Sequence, residues 1–168
     1  MSDVLDVIKN RRAIRRFKSD PIDEEQLRMI LEAGRWAPSF SNLQPWRFIV
    51  IKNQELKNEV DTAARKSVAS DGIRQAPAVI VVSVDAQIDS VHAIEGGVAA
   101  AQNMALAAHS LGLGCGWIGV YGVQAEAAIQ KLLKLSKTTR VVSLLPVGFA
   151  DELPKANRKP LEELMRVL

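Results

Sequence analysis

The run PAVIVVSVD, residues 77–85, constrains the fold of this 168-residue chain more than any other stretch. Its β-branched residues follow one another without the apolar–polar alternation of a half-exposed strand. It therefore reads as a buried strand opened by Pro77. WRFIVIK (46–52) and RVVSLLPVGF (140–149) read as further strands, and LGLGCGWIGV (111–120) as a Gly-rich turn entering another.

Between these runs the spacing turns helical. Residues 4–10 space Val4, Leu5, Val7 and Ile8 as a helix does. After the break at Asp20-Pro21, Asp23 can cap a second helix with Gln26 in the reciprocal capping-box position. Leu27, Ile30 and Leu31 form its buried stripe, and Gly34 and Pro38 end it. Residues 54–68 read as a surface helix and 123–135 as another. Residues 90–111 form an Ala-rich helix whose small face, with Gly96 and Gly97, lets another element approach closely. That element belongs either to the same domain or to a second subunit. About four strands among five or six helices make one mixed α and β domain over residues 1–168, with no repeat or linker. At this size roughly 70% of the unfolded surface becomes buried.

Composition removes several function classes. Hydrophobic residues at 48% and charged residues at 24% exclude disordered and fibrous chains. No apolar run approaches the roughly 20 residues of a membrane span, so no membrane association is expected. MSDVLDVIKNRR lacks the apolar core of a secretory signal. The one cysteine, Cys115, cannot form an internal disulfide, and a reducing cytoplasm is the expected compartment. His92 and His109 are 17 residues apart and read as structural or surface residues, with no metal site expected. A net charge of +3 leaves nucleic acid, anionic lipid or a phosphorylated small ligand as partners. A nucleic-acid binder would need aromatics interleaved with its basic face, and the lone Tyr121 argues against one.

Four constellations could carry chemistry. RRAIRRF sets Arg11, Arg12, Arg15 and Arg16 within six residues, forks of donors suited to phosphate or simply a solvated basic helix end. WAPSFSNLQPW puts Ser39, Ser41, Asn42 and Gln44 among aromatics, stiffened by Pro38 and Pro45. It suits a flat heteroaromatic ligand with polar edges, or it is a capping turn with Trp36 and Trp46 as core anchors. In GLGCGWIG the glycines would let backbone N–H groups approach a ligand. That segment precedes a strand, so it is no dinucleotide fingerprint, and Cys115 in it reads as a small buried filler rather than a nucleophile. PKANRKPLEE adds Lys155, Arg158 and Lys159, a second basic cluster or a solvated tail.

In order, RRAIRRF, APSFSNLQPWRFIVI, LGLGCGWIG, LLPVGF and RKPLEEL resemble the nitroreductase family of FMN-dependent oxidoreductases across nearly the whole chain. The resemblance implies an α+β fold, three-layer α-β-α with a central mixed sheet, in an intertwined homodimer holding FMN at the subunit interface. Arg11 and Arg158 would contact the FMN phosphate, with Arg12 nearby and Lys155 a weaker match. Arg15 would lie at the flavin pyrimidine edge. Ser39, Ser41 and Asn42 would reach the flavin from the partner subunit, in a loop with Pro38, Phe40 and Gln44. Gly114, Cys115 and Gly116 would present backbone donors near the isoalloxazine. The implied activity is ping-pong hydride transfer from NADH or NADPH to a nitroaromatic, quinone or similar small-molecule acceptor. A specialised ene or dehalogenating reductase and a non-catalytic FMN-binding module are the alternatives. Two departures stand out. Ala13 replaces the usual Ser of the first motif, and the chain has no room for the long insertions that often cover the substrate.

Overall fold

The apolar run becomes β2 (Ala78–Asp85), the inner strand on which the sheet is built. The structure, a computed structural model, describes residues 4–168. β2 pairs antiparallel on one side with β1 (Trp46–Ile51) and on the other with β5 (Thr139–Gly148). The far edge of β5 carries two short strands, β3 (Gly114–Cys115) and β4 (Ile118–Gly119).

Alternation along β2 feeds two cores. Ile80, Val82 and Val84 pack with Leu27 and Ile30 of α2 (Glu24–Arg35) and with Ala101 and Met104 of α4 (Ala93–Ser110). Val79 and Val81 pack with Val60 of α3 (Gln54–Ala64) and Ile129 of α5 (Gln124–Leu132). Helices thus cover both faces, giving the expected α-β-α layering. Each such aliphatic side chain contributes about 1.5–3 kcal/mol on burial. The short α1 (Val4–Asn10) touches α4 from outside.

The sheet departs from the mixed one expected. Every pairing between named strands is antiparallel, and the parallel contact is the single bridge Ala13–Cys115. The RRAIRRF segment meets the sheet only at isolated bridges, so it adds no full parallel strand.

Local signals hold in detail. Asp23 caps α2, its carboxylate accepting from Glu25 N–H at 2.7 Å, and Gln26 closes the capping box. Gly34 is the penultimate residue of α2, and its missing Cβ would meet Met104 Cγ at 2.9 Å. Trp46 is a core anchor at 6% exposure, whereas Trp36 is 72% exposed and donates its indole N–H to Glu32 at 2.8 Å. Among the described residues no helix is long and apolar enough to cross a membrane.

The neighbouring glycines of α4 do different jobs. A Cβ on Gly97 would fall 2.7 Å from Val84 and 2.8 Å from Val142, so α4 seats on the sheet through that missing carbon. A Cβ on Gly96 would make ordinary contacts of 3.5–3.6 Å with Ser39, Pro45 and Trp46. Gly97→Ala should therefore destabilise the fold by about 1–3 kcal/mol through overpacking. Gly96→Ala should be neutral or stabilising by up to about 1 kcal/mol through helix propensity. Denaturant titration of the two variants checks the contrast; equal effects would show that Gly97 is not the seat.

Candidate functional site

The basic motif is organised by its two apolar residues. Arg11 N–H makes the last helical bond of α1, to Val7 C=O at 3.0 Å, and the chain then extends. Ile14 and Phe17 turn inward and pack with Ala76, while Ile14 N–H donates to Cys115 C=O at 3.1 Å. Gly114 and Gly116 allow this approach. A Cβ on Gly114 would fall 2.8 Å from the Ile14 side chain, and one on Gly116 2.8 Å from the Ile14 carbonyl. Gly116 N–H already donates to Pro146 C=O at 2.8 Å. These glycines thus admit the RRAIRRF segment, and the Gly116 donor is engaged within the fold.

Arg11 and Arg12 border a cavity of about 380 Å³ together with Ile14, His109, Cys115 and Pro154. Among the described residues neither guanidinium pairs with a carboxylate; Arg12 donates only to the Lys9 and Arg11 carbonyls, at 2.7 and 3.0 Å. Unneutralised forks of donors beside a cavity fit a dianionic phosphate. Ala13 is part-buried at its bridge to Cys115 and supplies no hydroxyl. Burial, and then Arg11 and Arg12, hold His109 below the usual imidazole range.

Arg15 points instead to a polar hollow of about 420 Å³ shared with Arg16, Arg65 and Arg74. Glu152 fixes the backbone there, accepting from Arg15 N–H at 2.6 Å and Arg16 N–H at 3.1 Å, and it pairs with the Arg16 side chain. Arg65 and Arg74 are both anchored on the buried Asp61, which Ser70 also donates to. Burial pushes the Asp61 carboxyl up, but its three donors together hold it below the usual range. Asp61, Arg65, Arg74, Glu152 and His109 belong to none of the four sequence constellations. Only the four-residue spacing of Asp61 and Arg65 was a legible signal.

The loop after α2 is built under strain. Ser41, Asn42 and Gln44 have φ of 45, 55 and 50°, the left-handed region that L residues avoid. Each costs on the order of 1–3 kcal/mol, a kind of strain that concentrates at functional sites. Ser39 Oγ accepts from Gln44 N–H at 2.9 Å, and Gln44 Nε2 donates to Asn42 C=O at 3.2 Å. Phe40 stacks on His92 with ring centroids 4.4 Å apart. Ser41 and Asn42 face solvent, as does Pro38.

One chain does not bring all these residues together. The loop lies at the N-terminal end of α4, against Gly96, and the Arg11–Arg12 cavity lies thirteen residues along the same helix at His109. At 1.5 Å per residue the two are about 20 Å apart. Lys155 and Arg158 are exposed and line neither hollow.

Cys115 is 3% exposed, and burial pushes its thiol up to about 12 against the smaller opposing pull of Arg11. At pH 8 the thiol therefore stays protonated. A thiol reagent should leave the native protein unlabelled at that pH and react fully in denaturant. Fast labelling of the native state would overturn the filler reading.

The nitroreductase family profile matches residues 8–149. A Methanothermobacter thermautotrophicus protein provisionally named NADH dehydrogenase/NAD(P)H nitroreductase is 33% identical over 155 residues, 90% of this chain and 80% of its own. The NADPH-flavin oxidoreductase of Vibrio harveyi is 32% identical across 92% of this chain and 69% of its own. The solved structure of an FMN-dependent nitroreductase from Clostridium difficile R20291 superposes with a TM-score of 0.83 at 32% identity, covering 92% of this chain and 91% of that one. With the profile spanning most of the chain and the layering shared with a solved member, the protein belongs to the nitroreductase family.

Proposed function

We propose that the protein is a homodimeric FMN-dependent oxidoreductase. Bound FMN supplies two-electron hydride chemistry between NADH or NADPH and an electron-poor acceptor such as a nitroaromatic or quinone, in ping-pong order. The named activities of the relatives support this reading. The observation that carries it is the split along α4. The cavity lined by Arg11 and Arg12 sits at one end, and a strained polar loop about 20 Å away sits at the other. An isologous contact pairs each chain's loop with the other chain's cavity and creates two equal sites.

In this arrangement Arg11 and Arg158 hold the phosphate, with Arg12 and Lys155 adding positive charge. Arg15 stands at the pyrimidine edge, where its cation favours the negative charge that accumulates on reduction. Ser39, Ser41 and Asn42 of the partner loop close the site, and the reducing cytoplasm suits both the nucleotide donor and the lone buried thiol. Ala13 forgoes one neutral hydrogen bond, a loss of about 0.5–1.5 kcal/mol that the arginines outweigh. The tail supports the dimer too: Leu153, Leu161, Leu164, Val167 and Leu168 are all exposed on the single chain, apolar surface that a partner would cover.

A mixed dimer tests the reading. One chain carries Arg11→Ala and Arg158→Ala, the other Ser39→Ala and Asn42→Ala. One site then inherits both lesions and the other none, so about half of native FMN occupancy should remain, by the symmetry of an isologous pair. Heat-released flavin should be FMN. A monomer that retains FMN, or a heterodimer with both sites equally impaired, would overturn the shared site.

A further inference from the structure

His109 belongs to none of the sequence motifs, yet the last turn of α4 delivers it to the Arg11–Arg12 cavity. The groups around it leave the cavity positive. Arg11 comes from the end of α1 and Arg12 follows it, both without a carboxylate partner among the described residues. Asn10 is turned to the Asp6 carbonyl at 2.9 Å. Glu152, from the segment after β5, commits its carboxylate to Arg15 and Arg16. Cys115 of β3 stays a neutral thiol.

An imidazolium in that cavity would be a third cation in a half-buried space, so the histidine resists protonation while no anion is present. A dianionic phosphate reverses the balance. It neutralises the guanidiniums and offers oxygen acceptors to an imidazolium N–H. The position at the C-terminal end of an 18-residue helix also favours a cation once the arginines are neutralised.

We propose that His109 is a binding residue for the phosphate end of the cofactor and takes up a proton as that phosphate arrives. The proposal rests on the FMN reading above. The free protein holds His109 below the usual imidazole range, with burial the first cause and Arg11 and Arg12 the next. The bound phosphate raises it. Between the free and bound values, FMN binding therefore carries a proton and tightens as pH falls; above the bound value the linkage disappears. The phosphate's own second ionisation near pH 6 acts in the opposite sense, weakening binding in acid. Replacing His109 separates the two.

The experiment titrates FMN into full-length, flavin-stripped protein by calorimetry, in two buffers of different ionisation heat near pH 7. Riboflavin, which lacks the phosphate, is the control, and His109→Gln the variant. Wild type should take up protons with FMN and none with riboflavin. The variant should lose the uptake, and its FMN affinity should fall roughly tenfold in the acid limb for each unit by which the phosphate shifts the histidine. The His109 imidazole proton resonance in wild type should titrate at higher pH with FMN than without, a readout independent of any variant. Equal proton uptake in both proteins, or a His109 titration unmoved by FMN, would overturn the proposal. Protein that binds riboflavin and FMN equally, or neither, would sink the phosphate site itself and this inference with it.

Discussion

The candidate site is located by the ladder between β2 and β5. Its register sets Ile80 opposite Leu145 and Val81 opposite Leu144, with both strands buried on both faces. The outer edge of β5 carries two short strands, and β3 is one of them. The Cys115 carbonyl at that edge accepts from Ile14 N–H, so the depth of the sheet fixes where the arginines of the first motif emerge. The same ladder seats α4 through Gly97, against Val84 and Val142. One helix on one sheet therefore sets the distance between the loop and the arginine cavity. Neither the loop nor the cavity can move toward the other without unpacking the core, and rigid cores resist such sliding.

The sequence was most legible where physics is local. The α2 cap at Asp23, the β2 run and the span of α1 follow from neighbours a few residues apart. Family resemblance carried the basic motif and the loop. What stayed hidden depends on contacts across the chain. Trp36 and Trp46 look alike in sequence, but only Trp46 is paired into the sheet and buried. The glycines of GLGCGWIG read as openings for a ligand, and two of them are openings for Ile14. Asp61 looked like a residue of a surface helix. It is buried because Arg65, Arg74 and Ser70 converge on it from three sequence distances.

The arginines divide into two kinds, and the division carries meaning. Arg65, Arg74 and Arg140 are tied to the buried carboxylates Asp61 and Glu126. Those pairs satisfy charges that would be costly to bury alone, and they fix α3 and α5 to their surroundings. In the first motif Arg16 is likewise paired, through Glu152. Among the described residues Arg11, Arg12 and Arg15 are not. Folding alone gives no reason to gather unpaired cations on one short segment, since like charges repel and each could have been neutralised as Arg16 is. Their retention makes sense if an anion completes them.

The strained loop follows the same logic by another route. Three left-handed residues in four positions cost free energy that a plain connector would avoid with glycine. Here the strain is held by bonds within the loop, Gln44 N–H to Ser39 Oγ and the Gln44 amide to the Asn42 carbonyl, and by the buried Pro45 and Trp46 that follow. Those bonds use Ser39 and Gln44 and leave the Ser41 hydroxyl and the Asn42 amide turned outward. A loop so fixed loses little further conformational entropy when a ligand reaches it. The cavity contributes charge without closure, and the loop contributes preorganised polar groups without charge. Each is incomplete by itself, and α4 keeps them apart within one chain. In the proposed dimer, each would complete the site of a second copy.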